Sequence, residues 1–229
     1  MKKKLVVITG AGISAESGIK TFRDHDGLWE NHKIEDVAHI DAWHKNKALV
    51  LDFYNQRRAN ALAAEPNGAH LGLKELEQHF EVRIVTQNVD DLHERAGSKH
   101  ILHLHGSLLE CCSDINKGCV TPWTEAMNFN EYAPDGGHWR PNIVWFGEDV
   151  PLIEDAISIV EQADILVVIG TSLQVYPAAN LLAYAPNHCP IYIIDPKLNM
   201  RPNNQTVVIQ NTAVAGIKEL TQLLLNNES

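Results

Sequence analysis

Four short stretches of this chain hold residue types suited to chemistry. Gly10, Gly12 and the small Ala15 directly follow the apolar run "LVVIT", in the G-x-G-x-x-A spacing of a dinucleotide-binding turn. Glycine lets the backbone turn sharply and bring N–H groups close to a pyrophosphate, and a helix beginning there adds a favourable dipole. The same spacing also suits a tight strand-to-helix turn that holds no ligand. A hydride-transferring enzyme would next show an acidic residue about 20 positions on, to hold ribose hydroxyls. Here "TFRDHDGLW" takes that place, and its Phe22, Arg23 and Trp29 can either cover a bound cofactor or anchor the loop.

The second stretch, "TQNVDDLHERAG", puts Gln87, Asn88 and Asp90 just after another apolar run. An amide side chain both donates and accepts, so this cluster suits a carboxamide such as nicotinamide. Capping of the following helix by Asn88 or Asp90 is the plainer alternative. The third, "HLHG", places His105 beside Gly106, where a histidine can act as a general base near neutral pH. The fourth, "VVIGTSLQV", repeats the strand-then-glycine logic at Gly170, with the Thr171 and Ser172 hydroxyls open to phosphate or ribose.

These groups need a scaffold that brings strand ends together. The runs at 4–9, 82–86, 101–105, 164–170, 190–195 and 206–210 are nearly continuous in apolar residues, as strands buried on both faces of a parallel sheet require. Helical patterns lie between them. Ala69, Leu73, Leu76 and Phe80 share one face after Pro66, and Leu152, Ile153, Ala156, Ile157 and Val160 share one after Pro151. The alternation predicts an α/β fold, a doubly wound Rossmann-like parallel sheet built from 1–17, 67–106 and 142–229. Residues 18–66 and the loop-rich 107–141 break the pattern and are expected to form a smaller domain over the sheet.

Length and composition agree with a folded enzyme. The 229 residues can bury a real core, and 45% hydrophobic with 21% charged residues is ordinary globular usage. A net charge of −10 argues against nucleic acid or an anionic membrane as a partner, since either calls for a basic face. The apolar run after "MKKK" stops after five residues, short of a secretory core, and no stretch approaches the roughly 20 apolar residues of a membrane span. Four cysteines, three of them at 111, 112 and 119, do not form a disulfide framework, so a cytoplasmic setting is expected.

Taken together and in order, "GAGISAESGIKTFR", "TQNVDDLHERAG", "HLHG", "NIVWFGE" and "GTSLQVYPAA" resemble the sirtuins, NAD-dependent protein lysine deacylases, over nearly the whole chain. The match looks closest to the bacterial and mitochondrial-type branch that removes acidic acyl groups. The resemblance implies an NAD site formed by Gly10, Ala11, Gly12, Ile13, Phe22, Arg23 and Trp29. It adds Gln87, Asn88 and Asp90 around the nicotinamide ribose, and Gly170, Thr171, Ser172 and Ala213 elsewhere on the cofactor. It also implies His105 as catalytic base, with Asn88 catalytic beside it, and acyl transfer onto ADP-ribose with release of nicotinamide. NAD is then a consumed cosubstrate, and the protein partners are acyl-lysine side chains. In "NIVWFGE", Val144 and Phe146 would wall the acyl-lysine channel, where an extended peptide adds by backbone pairing.

Two further features come with that family. In "DFYNQRRANAL", Tyr54 and Arg57 are spaced i, i+3 and share a helical face, which suits a carboxylate-bearing acyl group, with Ala38 leaving room beside it. Arg58 next door reads as a plain basic surface residue. Sirtuins also usually hold a structural zinc through two cysteine pairs, whereas the insertion here offers Cys111, Cys112 and Cys119, then only Asp135 and His138. Adjacent cysteines are poor chelate partners, so no zinc is expected, and Trp123, Met127, Phe129, Tyr132 and Trp139 are expected to pack as the substitute core.

Overall fold

The computed structural model describes residues 2–21, 28–29, 32–171, 175–197 and 205–226. In chain order its strands are β1 (Lys4–Thr9), β2 (Leu28–Trp29), β3 (His32–Lys33), β4 (Glu81–Thr86), β5 (Ile101–His103), β6 (Gly106–Ser113), β7 (Val120–Pro122), β8 (Trp139–Ile143), β9 (Ile165–Ile169), β10 (Ile191–Ile194) and β11 (Thr206–Ile209). The α-helices are α1 (Ile34–Val37), α2 (Ile40–Lys45), α3 (Lys47–Ala63), α4 (Gly68–Leu76), α5 (Leu92–Arg95), α6 (Ile153–Val160) and α7 (Ala213–Asn226).

Six strands form one parallel sheet in the order β11-β10-β9-β1-β4-β5. Both faces are covered, which explains the unbroken apolar runs. Leu5 and Val7 of β1 pack in one cluster with Leu73 and Leu76 of α4 and Ile217 and Leu220 of α7. Val6 and Ile8, pointing the other way, pack with Ala156 and Val160 of α6 and with Leu181. From β1 the chain builds outward to β4 and β5, then returns to β9 on the other flank of β1. That reversal leaves a crevice outside the carboxyl ends of β1 and β9, the place where open α/β sheets take ligands.

The insertion at 107–141 is more regular than its Gly and Pro content suggests. β6, β7 and β8 form a three-stranded antiparallel sheet, and it packs with α1–α3 around Trp43, Phe53, Tyr54, Met127 and Trp145. Arg58 is also not a surface residue. It is buried, donating through Nε to the Leu108 carbonyl at 2.7 Å and through Nη1 to that of Glu125 at 3.2 Å, so it ties α3 to the insertion. Of the five residues expected as a substitute core, Met127 is buried in this cluster and Trp123 and Trp139 are partly buried against the cluster. Phe129 and Tyr132 are exposed and flank the ring of His138, each with its centroid 4.6 Å away.

Candidate active site

The glycine turn after β1 differs from expectation in one respect. Among the described residues up to Thr21 the turn is followed by two 3-10 turns, at Ala11–Ile13 and Ala15–Ser17, and not by an α-helix, so no α-helix dipole points at it from this segment. The close approach that demands glycine is to the protein itself. The Gly12 amide donates to the Gly170 carbonyl at 2.8 Å, and a Cβ on Gly12 would lie 2.6 Å from the Gly170 Cα. Gly170 has φ of 63°, the left-handed region that glycine enters without strain. The loops after β1 and β9 are thereby locked together at the crevice.

Asn88 and Asp90, at the end of β4, meet the first loop through Ser14. Asn88 Nδ2 donates to Ser14 Oγ at 3.1 Å, and Ser14 Oγ donates to Asp90 Oδ2 at 3.1 Å. All three residues are buried. Burial pushes the Asp90 carboxyl up, opposed by hydrogen bonds from the Leu92 amide and Ser14. Neither Asn88 nor Asp90 caps the following helix, whose N-cap is Asp91 with no side-chain cap bond; Asp90 Oδ1 accepts from Leu92 N at 3.2 Å while Oδ2 accepts from Ser14. Gln87 Nε2 donates to Thr171 Oγ1 at 3.2 Å, a second tie between the β4 and β9 ends. Ser14 was missed in the sequence because a serine among the small residues of a glycine loop has no distinctive neighbours.

His105 follows β5, its Nδ1 lying 3.1 Å from the Gln87 carbonyl oxygen. A carbonyl only accepts, so Nδ1 carries the proton and Nε2 holds the basic lone pair. Burial pushes the imidazole below its ordinary range, with the Gln87 carbonyl opposing, and the neutral form therefore dominates at pH 7.

One cavity of about 430 Å³ gathers nearly all the expected residues. Its walls include Gly10, Ala11, Gly12, Trp29, Gln87, Asn88, Asp90, His105, Val144, Phe146, Gly170, Thr171 and Ala213, together with Ala38, Tyr54 and Arg57. Ile13 is not among them; it is buried in the core beneath the loop. Phe22, Arg23 and Ser172 lie outside the described residues. Ala213 reaches the cavity as the first residue of α7, where Glu16 holds the helix start by accepting from the Val214 amide at 2.8 Å. Val144 and Phe146 lie beyond the end of β8, and their amides donate to the carbonyls of His105 at 3.0 Å and Ala38 at 2.9 Å. Those two donors are engaged within the protein.

Tyr54 and Arg57 do share a face of α3. The Arg57 guanidinium sits 4.0 Å from the Trp29 ring centroid and 5.7 Å from that of Tyr54. Burial pushes the Tyr54 phenol up, against the pull of the Arg57 charge, so it remains a hydrogen-bond donor. In the insertion, Asp114 accepts from Lys47 Nζ at 2.6 Å and from the His138 amide at 2.8 Å, and Asp135 accepts from Ser113 Oγ at 2.8 Å.

A protein-family model described as the Sir2 family matches residues 10–177. An NAD-dependent protein deacylase of Helicobacter pylori is 54% identical over 228 residues, covering 99% of this chain and 100% of the relative. A crystal structure of a Sir2 homologue in complex with NAD superposes with a TM-score of 0.87 at 36% identity, over 100% of this chain and 91% of that one. A mutated Sir2 homologue in complex with 2'-O-acetyl ADP-ribose gives 0.88 at 36% identity, over 100% and 94%. With the family model spanning most of its length and a relative more than half identical from end to end, the chain belongs to the Sir2 family, the sirtuins.

Proposed function

We propose that the protein is an NAD-dependent protein lysine deacylase that passes the acyl group to ADP-ribose, releases nicotinamide, and favours acidic acyl groups. The observation that carries this reading is a single cavity lined by the two glycine loops, Asn88 and Asp90, His105, and the Tyr54–Arg57 pair. Bound NAD supplies a labile nicotinamide–ribose bond and the ribose hydroxyls that receive the acyl group. The interlocked loops at Gly10–Gly12 and Gly170–Thr171 hold the cofactor, and Asn88, aimed by Ser14, orients its nicotinamide ribose. His105 Nε2 takes the proton from a ribose hydroxyl, since Nδ1–H is fixed on Gln87. Val144 and Phe146 wall the acyl-lysine, and Arg57 with Tyr54 meets a distal carboxylate. Lys20, Thr21 and Trp29 line the cavity on either side of residues 22–27, which supports assigning Phe22 and Arg23 to a cover that keeps water from the reacting ribose.

The same reading divides the chain into a sheet unit of 1–17, 67–106 and 142–229 and a small unit of 18–66 and 107–141. The separate side-chain clusters on the sheet and around α1–α3 with β6–β8 support it. It closes the small unit without zinc. Cys111 and Cys112 are successive strand residues and so point to opposite faces, while Asp135 and His138 are held by Ser113 and the Phe129 carbonyl. Four free cysteines agree with a reducing cytoplasm, and the acidic net charge with protein side chains rather than nucleic acid or membrane as partners.

The experiment is incubation with NAD and acetyl-, succinyl- and glutaryl-lysine peptides, following nicotinamide and deacylated peptide together. Equimolar release, fastest with an acidic acyl group, is expected. Nicotinamide without deacylation would replace the reading with ADP-ribosyl transfer or NAD hydrolysis. No nicotinamide at all would leave a binding module for NAD or acyl-peptide.

A further inference from the structure

We propose that His103 is a positioning residue for Asn88, an imidazolium clamped between the Glu94 carboxylate and the Asn88 backbone carbonyl that keeps the Asn88 side chain aimed into the cavity. His103 Nδ1 lies 2.9 Å from the Asn88 carbonyl oxygen, and Nε2 lies 2.8 Å from Glu94 Oε1. A peptide carbonyl and a carboxylate both only accept. Satisfying both requires a proton on each ring nitrogen, which is the charged form. Two residues on, His105 Nδ1 holds the Gln87 carbonyl, so the peptide groups on either side of the Asn88 Cα are gripped by two histidines from one chain segment. The tertiary structure thereby fixes the main chain on which the cofactor-facing amide is mounted.

Burial would push His103 down, but the hydrogen bond and charge of Glu94 outweigh it and the imidazole is raised above its ordinary value. The other titratable groups facing it are Asp90, from the loop after β4, which reinforces the charge, and His93 of α5, which burial keeps neutral. Its register partner on β4 is the uncharged Thr86. When the ring loses its proton, one nitrogen must present a lone pair to an acceptor. Glu94, bearing a full charge, retains the remaining N–H more strongly than a carbonyl does, so the Asn88 side of the clamp opens. Activity should therefore fall on the alkaline side as His103 deprotonates. Glu94→Gln removes that conflict, because the amide can donate to Nε2 while Nδ1–H stays on Asn88.

The inference rests on the reading of Asn88 as a cofactor-facing residue, and two readouts keep the two apart. Nitrogen-15 NMR of the histidine ring in the whole protein, with no turnover, should show His103 titrating above 6.5 and moving down in Glu94→Gln. A ring that titrates at or below 6.5 in the parent would overturn the clamp whatever the activity. In kcat at saturating NAD and peptide, the alkaline fall should vanish in Glu94→Gln; an unchanged profile would also overturn it. His103→Phe should lower kcat roughly tenfold on the acid side, where the parent's clamp is closed, with the gap narrowing at alkaline pH and the peptide KM unmoved, the scale expected for misplacing a reacting group. His103→Asn, which puts an amide N–H at the Nδ1 position, should recover most of that loss. No recovery in a variant that folds normally would assign His103 a packing role only. Full kcat in Asn88→Ala, by contrast, would sink the reading of the site and not the protonation of His103.

Discussion

The amide of Gly12 and the carbonyl of Gly170 meet at 2.8 Å, and neither residue has room for a side chain. The contact joins the loops where the strand order reverses about β1, so the crevice there is built from main chain pressed against main chain. Gly12→Ala should therefore separate the loops. Overpacking of a filled site costs about 1–3 kcal/mol, and urea denaturation should show a loss on that scale. Calorimetric titration should show NAD affinity falling as well, because the displaced loops are the ones proposed to hold the cofactor. Parent-like stability and NAD binding together would mean that the interlock does not shape the site.

Arg57 faces the cavity with its guanidinium against Trp29, and Tyr54 lies behind it on the same helical face. A hydrogen bond to a charged group contributes about 1.5–3 kcal/mol. Arg57→Met should thus lower kcat/KM for a succinyl-lysine peptide roughly ten- to a hundredfold while leaving the acetyl peptide close to the parent value. Tyr54→Phe should show a smaller loss of the same kind. Equal losses on both peptides would remove the pair from acyl recognition and leave it a packing role under Trp29.

The insertion is held by hydrogen bonds that centre on Asp114, which accepts from Lys47, Trp43 and the His138 amide and whose carboxyl they keep below its usual range against the cost of burial. If these contacts close the small unit, a strong chelator should leave the thermal midpoint unmoved and metal analysis of the purified protein should find zinc well below one per chain. Asp114→Ala should lower stability by about 1–3 kcal/mol, the scale for leaving buried partners unsatisfied. Stoichiometric zinc, or a midpoint that drops on chelation, would restore a metal to the insertion.

The parallel sheet and its candidate site were readable because strands buried on both faces appear as unbroken apolar runs, and because open α/β sheets take ligands where such strands end. Gly10, Asn88, His105 and Gly170 each follow a strand, so finding the strands located the residues. What stayed hidden depends on partners distant in sequence. Arg58 looked like a neighbour of Arg57 on a basic surface, yet it is buried because carbonyls at 108 and 125 happen to face it. Ser14 gains its role only from residues 88 and 90. The absent helix after Gly12 could not be foreseen either, since "ISAESG" has no feature that distinguishes two 3-10 turns from an α-helical start.

Beneath the site, His93 and His70 form a buried pair with ring centroids 4.9 Å apart, and His93 Nε2 lies 3.1 Å from the Thr9 hydroxyl at the end of β1. Burial pushes His70 down to about 4, helped by Arg95, and His93 to about 3, helped by His70. Both folded values lie below the roughly 6.5 of an unfolded histidine, so the unfolded chain binds protons that the folded one does not. The stability this contributes is fully present above pH 6.5 and is lost as pH falls through the window down to about 4 and 3. Each histidine then costs about 1.4 kcal/mol per pH unit, or about 2 kcal/mol between pH 6.5 and 5. His93→Gln keeps an N–H for Thr9 without a titrating ring. Urea unfolding at pH 7 and pH 5 should show the variant losing about 2 kcal/mol less than the parent over that interval, even if it starts from a lower value at pH 7. Identical losses in the two proteins would mean that His93 takes up no proton on unfolding and that acid sensitivity originates elsewhere in the fold.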